Sequence, residues 1–567
     1  MNIMRKIALT ILMITAASVV SFAQGPYDAW LFSDNNYEGT ARSVAMGNAF
    51  TALGGDLGSI SINPAGSAVA GYSQISITPE LTFSTNTAAG VPYDGSTDPY
   101  FQREMKSRKT KFTVPNFGLT FNFNTGRKSG IKNVTVGFVL NAANTWCEDI
   151  YANGTNSQTS FLAALADDAT REMDALNSNK PSYEQDYTKA DYLSEQAFDY
   201  MNWQNTIAYR SGMISAFDTE GKKFIGATET LLDNGDIMQS GKVNQTYGRT
   251  VSGSKYEYLF NLGMNVSDFV YFGANIGITS INYDYTHYFR ERAIDADLFE
   301  NRFYDSDGVE HSTYFKEALY NHYYSAEGTG IFGKFGVIVT PMTGLRIGAA
   351  IQTPTSTTIK EQWQDRASTT FSDSKFNGEA DSDLGRSEYD FNSPFRANFG
   401  LAYTMGSFAI ISADYEVAGY GTMKYCTDIS DMSEEDFDYF LGVNETIKNT
   451  YGAAHYLRLG AEVRPFNVLS VRAGYNLGSS AVKKYYDADT DSYLDLNSTY
   501  TQNISFGLGF SSKGSFFADL ACRYNFVTKE YIYPYSDYLA ESNGIWSPEI
   551  LSRHSNWKLL MTLGWRF

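Results

Sequence analysis

The sequence predicts an all-β chain: a transmembrane antiparallel β-barrel of about 14 strands, with short N-terminal helices as a hatch inside the lumen. Three observations predict it. A period-two alternation runs to the last residue, long and short connections alternate, and the mature chain has no run of about 18 apolar residues. Helical membrane spans are thereby excluded, whereas a barrel hides its apolar residues in alternation. Composition agrees, since 43% of the 567 residues are hydrophobic and 15% aromatic, with 41 Tyr, 38 Phe, 48 Gly and 13 Pro. Such a mixture suits many strands whose rings sit at a boundary. The net charge of −19 disfavours a nucleic-acid partner.

Residues 1–23 read as a secretory signal peptide. Arg5 and Lys6 precede the apolar run Ile7 to Val20, and small Ser21 and Ala23 flank Phe22 at the cleavage site. The mature chain then begins at Gln24 and is exported. Export would permit one disulfide among Cys147, Cys426 and Cys522, and no CxxC spacing offers a zinc site.

Residues 24–72 do not alternate. Small residues dominate, which suits short helices packed inside a wall, and Val44, Met46, Phe50, Leu53, Leu57, Ile60 and Ile62 need cover from water. Pro64 stops any helix or ladder and biases Asn63 toward extended backbone. The Asn63 amide is then available to backbone groups of the barrel.

From residue 73 onward the chain reads as strands. The last is the clearest: Trp557, Leu559, Met561, Leu563, Trp565 and Phe567 alternate with polar or small residues, and only Leu560 breaks the pattern. Ten steps of roughly 3.3 Å at a tilt of about 40° rise roughly 25 Å, the height of an outer-membrane apolar band. Similar alternation gives strands near 73–85, 111–124, 131–146, 254–267, 269–289, 323–340, 344–363, 386–405, 408–425, 451–465, 467–486, 499–512, 514–532 and 554–567. Short turns at 266–268, 341–343, 405–407, 465–467 and 512–514 alternate with long connections, as in an up-and-down barrel. The longest connection, 147–253, has helix-like stretches at Phe161–Leu176 and Ala190–Trp203 and predicts a packed extracellular cap. Ser433–Lys448 reads as another helix, with Glu434, Glu435 and Asp436 in its first turn.

The stretch Arg42 to Gly66, with Ser-Val-Ala-Met-Gly-Asn-Ala and then Ile-Asn-Pro-Ala-Gly, resembles the hatch of FadL/TodX-type outer-membrane transporters for long-chain fatty acids and other hydrophobic compounds. Further resemblance lies in Ile347 to Pro354, in Asp414-Tyr415-Glu416 and in Arg458 to Glu462. It implies a fourteen-stranded barrel plugged by the N-terminal segment. It implies too that Asn63, Pro64, Ala65 and Gly66 help hold the hatch near a kinked third strand, through which ligand leaves sideways. Gly137 is the candidate for that kink. The 147–253 insertion departs from the family pattern.

No nucleophile elbow, phosphate loop or HExxH occurs, so no enzyme is expected, and neither a cofactor nor a metal. Five histidines exist, and His311 and His322 fall in one long connection, which invites a haem-capture reading; solvated or strand-end rings account for them more simply. The run from Asp487 to Asp491 lacks the Gly and Glu of a calcium loop and reads as a hydrated acidic tip. Among inward charges, Arg396, Arg458, Arg472 and Arg523 are candidates for a ligand carboxylate, yet Asp414, Glu416, Glu462 and Asp519 share that wall. The expectation is passive passage of a hydrophobic, fatty acid-like small molecule through a monomer in outer-membrane lipid, both mature termini periplasmic. A general diffusion porin and a haem-binding or surface-binding barrel are the alternatives.

Overall fold

The computed structural model describes residues 25–91, 100–181, 185–304, 310–427, 433–483, 485–487, 492–494, 500–512, 514–535 and 547–567. The expected signal peptide and the acidic tip from Ala488 to Asp491 lie outside them. Fourteen antiparallel staves follow in chain order: β1 (Gln74–Gly90), β2 (Met105–Asn124), β3 (Ile131–Asn156), β4 (Val243–Val266), β5 (Val270–Ala293) and β6 (Glu310–Met342). Next come β7 (Leu345–Gln352 and Ser356–Phe371) and β8 (Gly385–Asn392 and Arg396–Met405), then β9 (Ala409–Gly419), β10 (Ala453–Phe466), β11 (Leu469–Gly478), β12 (Thr501–Ser511), β13 (Phe516–Ile532) and β14 (Ile550–Arg566). β1 closes the ring on β14, from Gln74 opposite Arg566 to Gly90 opposite Ile550. Pro354 and Pro394, which have no N–H to donate, break β7 and β8 at the same level.

Closure gives every stave two antiparallel neighbours, which is what lets strands cross a bilayer. Ile276, Phe335 and Phe399 are exposed on the outer face, while Asn275, Lys334 and Asn398 beside them in sequence are buried inward. The turns at one end are tight; Ser267 and Asp268 both hold φ near +59°, the mirror-image turn that matches strand twist. Leu560, the break in the last strand's alternation, points into the bore and packs with Ala41, Val44, Ala45 and Ala521. The irregularity in pattern marks where the N-terminal segment touches the wall.

Several staves run well past the apolar band. β3 continues to Asn156, β4 starts at Val243 and β6 starts at Glu310, so His311 and His322 stand on a strand rather than in a connection. Between β3 and β4 a helical cap sits on these extensions. Helix Phe161–Asn179 is capped by the Ser160 hydroxyl, which accepts from the Leu162 N–H. Its buried face joins Ile207 and Phe224 of the cap with Phe289, Phe315 and Phe371 of the barrel. The expected helix Ala190–Trp203 differs. Asn202 accepts from the N–H groups of Gln204 and Asn205, so it starts helix Trp203–Arg210 where the earlier helix was expected to end. Helix Glu434–Thr450 forms and packs on Tyr420–Thr422, Lys424–Tyr425 and the N-terminal helix Pro26–Ser33, and no disulfide joins the three cysteines.

Candidate functional site

The N-terminal segment lies inside the barrel and fills the half nearest the tight turns. It folds as helix α1 (Pro26–Ser33), helix α2 (Ala41–Ala45), helix α3 (Ser59–Ile62) and a 3₁₀ turn (Pro64–Val69). Its small side chains leave backbone carbonyls reachable, and the barrel wall donates to them. Lys255 Nζ reaches the Phe32 carbonyl at 2.8 Å, Arg346 Nη1 that of Leu53 at 2.6 Å and Arg396 Nη2 that of Ser33 at 2.9 Å. Lys334 donates to Ser61, and Asn275 and Asn261 serve Ile60 and Pro64. A buried carbonyl without a donor costs about 1–3 kcal/mol, so these contacts fix the segment's position.

Asn63 is fully buried with extended backbone, φ −136° and ψ 111°. Its amide donates to the carbonyls of Thr51, Val337 and Ala349 at 2.6, 3.3 and 3.4 Å, and its Oδ1 accepts from the Ala65 N–H at 3.0 Å. Glycines of the wall make room: a Cβ on Gly336 would collide with Asn63, and one on Gly273 with the Pro64–Ala65 backbone. Gly66 packs equally closely on Gly54 within the segment. The element therefore rests chiefly on β4, β5 and β6, with the Asn63 amide reaching across to β7.

The four candidate arginines are buried in this lower half, and the carboxylates they meet belong to the protein. Arg396 and Arg458 share Glu416 at 2.8 and 2.6 Å, and Arg472 joins Glu462 to Asp519. Arg523 holds Glu38, which Lys558 also contacts, and Arg42 of the segment reaches Glu462 at 2.9 Å. Each of the four thus meets a carboxylate of the protein itself, while Arg458 Nη1 and Arg523 Nε stay buried without a hydrogen-bond partner among the described residues.

Strand three does break from its neighbour, though at a different residue from the candidate. Gly137 keeps regular register with Thr120 and Asn261. The extra residue is Ala143, where pairing with β4 shifts between Ala142 and Asn144. A bulge bends a strand by inserting a residue, so no glycine is required. Beyond Asn141, β3 no longer pairs with β2, whose remaining residues pair with β1 alone. The segment takes up the freed carbonyls: Asn36 N–H donates to Ala143 at 2.7 Å and Glu38 N–H to Ala142 at 3.0 Å. Further along, Asn86 of β1 donates to Glu148 at 3.0 Å, and Lys109 of β2 meets Asp149 at 3.2 Å.

Above α1 the inward positions change character. Glu148, Arg249, Tyr285, His287, His322, Tyr324 and His554 are half-buried, whereas Thr279 and Ala326 below them and Glu291 and Ala318 above are buried. Tyr27, on α1 inside the barrel, is 57% exposed and forms the floor. This loss of burial at inward positions marks a space, the chamber, between the segment and the cap at the level where β2 and β3 part. Aromatic rings run along one side: Trp146 to Tyr283 at 5.2 Å, Tyr283 to Tyr324 at 6.2 Å, Tyr285 to His287 at 5.5 Å. The sequence signal for it is the run Tyr283, Tyr285, His287 and Phe289, where the inner face of β5 turns aromatic after Asn275 and Thr279. Reading the outer face alone misses it. Among the described residues no cluster of His, Cys, Asp and Glu could hold a metal ion.

No family model and no curated protein matches the chain. Solved structures do. A Pseudomonas aeruginosa FadL homologue is similar over 94% of this chain and 98% of its own, with 10% identity and a TM-score of 0.47. The Pseudomonas putida toluene transporter TodX covers 94% and 99% with 11% identity and a TM-score of 0.43. The Ralstonia pickettii toluene transporter TbuX covers 95% and 100% with 12% identity and a TM-score of 0.42.

Proposed function

We propose that this chain is a FadL/TodX-type outer-membrane protein that moves hydrophobic small molecules passively, with residues 24–72 acting as a hatch. The carrying observation is the pairing of two features at one level: a chamber closed below by the chain's own segment, and a wall whose ladder stops between β2 and β3. Hydrophobic molecules cross a polar outer leaflet poorly. Entry past the cap, seating among aromatic rings and exit through the parted strands would spare them from water on the inner side. The segment's ties to β3 at Ala142 and Ala143 are the contacts such an exit must loosen. A diffusion porin needs no packed segment in its bore, and a surface-binding barrel needs no parted wall.

The test locks the parted strands. Lys109→Cys and Asp149→Cys, in a chain carrying Cys147→Ala, Cys426→Ala and Cys522→Ala, are joined by a short bis-maleimide on cells taking up radiolabelled palmitate, hexadecanol and hexadecane. The account expects uptake to fall when the linker is added and to persist in either single-cysteine chain. Undiminished uptake with complete linkage rejects the lateral route.

A further inference from the structure

His322 Nδ1 lies 2.6 Å from Asp365 Oδ1, and the Tyr320 hydroxyl donates to the same oxygen at 3.0 Å. An imidazole that gives its Nδ1–H to a carboxylate presents Nε2 as an acceptor. The His322 side chain keeps 24% of its surface exposed on the inner face of β6, at the level of the chamber. His287 leans on it with ring centroids 5.1 Å apart, and the buried Nδ1 of His287 has no hydrogen-bond partner. A buried polar atom left unpaired costs stability, which marks a position the fold alone does not complete.

Charge around the pair selects among ligands. Glu148, Glu361, Asp365 and Glu530 lie around the chamber, while Arg249 is held by Glu530 at 2.8 Å, Lys109 by Asp149 at 3.2 Å, and Lys111 Nζ donates to the Trp146 carbonyl at 3.4 Å. A carboxylate head placed there meets like charge in a region of low dielectric. A purely hydrocarbon ligand leaves the ring nitrogens unpaired. Building on the transport reading above, we infer that His322, with His287 against it, seats the polar group of the cargo. That group is an uncharged hydroxyl, and the cargo is a hydroxyl-bearing amphiphile whose apolar part lies along the aromatic wall toward Trp146.

Equilibrium binding of tritiated hexadecanol, palmitate and hexadecane to the full-length protein in detergent tests this. Hexadecanol is expected to bind tightest. His322→Phe should weaken it about tenfold and leave hexadecane within about twofold, the loss expected of one hydrogen bond. Asp365→Asn, which retains the packing but frees the ring to change tautomer, should act in the same direction, with heat-modifiable migration confirming a folded barrel for each. Equal binding of hexadecanol and hexadecane, unchanged in both variants, overturns the inference alone. Tightest binding of palmitate, lost in Lys111→Gln, overturns it in favour of a cation at the parted strands, where Lys111 of β2 reaches the Trp146 carbonyl of β3. Binding of none of the three removes the transport reading and this inference with it.

Discussion

Nη2 of Arg523 on β13 donates to both carboxylate oxygens of Glu38, at 2.7 and 2.9 Å, and ties the N-terminal segment to a strand near the other end of the chain. Both side chains are buried. The same Glu38 offers its N–H to Ala142 at the bulge of β3, so one residue links the charge network to the parted wall.

Glu38→Gln should loosen the segment. Removing one member of a buried pair leaves Arg523 without its carboxylate and Lys558 with Glu80 alone, a loss of about 3–5 kcal/mol. Limited proteolysis should then cut within residues 25–70 while the barrel stays heat-modifiable. A segment as protected as in wild type would count against an ionic latch.

Gly336→Ala should have a similar effect by a different route. The added methyl falls on the Asn63 side chain, inside a fully buried element, whereas the outer face of β6 is untouched. Faster cleavage of the segment with normal barrel assembly is the expected result. A variant indistinguishable from wild type would show that Asn63 has room the geometry denies.

Asn63→Ala combined with Pro64→Ala leaves the carbonyls of Thr51, Val337 and Ala349 short of a donor and frees the extended turn. Uptake of hydrophobic probes should fall, with a folded, heat-modifiable barrel. Normal uptake would reject the role assigned to this element.

The cap should weaken as pH rises. Burial pushes the Glu229 carboxyl up to about 7, with Asp167 and Glu291 adding in the same direction against the Gly226 N–H. A carboxyl raised on folding favours the folded state when protonated. Its contribution is therefore full below the ordinary value near 4.5 and lost as pH passes through about 7. Hydrogen-exchange protection factors, corrected for the base-catalysed intrinsic rate, should be larger at pH 5 than at pH 8 in Phe161–Asn179 and Phe224–Gly226, and Glu229→Gln should flatten that difference. An unchanged difference in the variant would assign the slope to another group.

Much of this architecture is legible in the sequence because the bilayer imposes a simple rule on each stave. Outward residues from Trp557 to Trp565 must be apolar, and tight turns such as Ser267-Asp268 recur at one end, so all fourteen staves could be read. The inner face obeys no such rule. Arg396, Arg458, Arg472 and Arg523 look alike as inward charges, and only the fold reveals that Glu416, Glu462, Asp519 and Glu38 take them up. The bulge at Ala143 was equally hidden, since Asn141-Ala142-Ala143-Asn144 shows only a lapse in alternation, while Gly137 carries the residue type usually associated with a bend. His287 and His322 lie on different strands and meet only through the register of β5 with β6.

The central claim, that the chain corks its own bore, is tested most directly by single-channel conductance in planar bilayers. Wild-type protein should conduct little, and deletion of residues 25–69 should open a steady, large conductance in a barrel that still assembles. High wild-type conductance that the deletion leaves unchanged would contradict the account and favour an open diffusion pore.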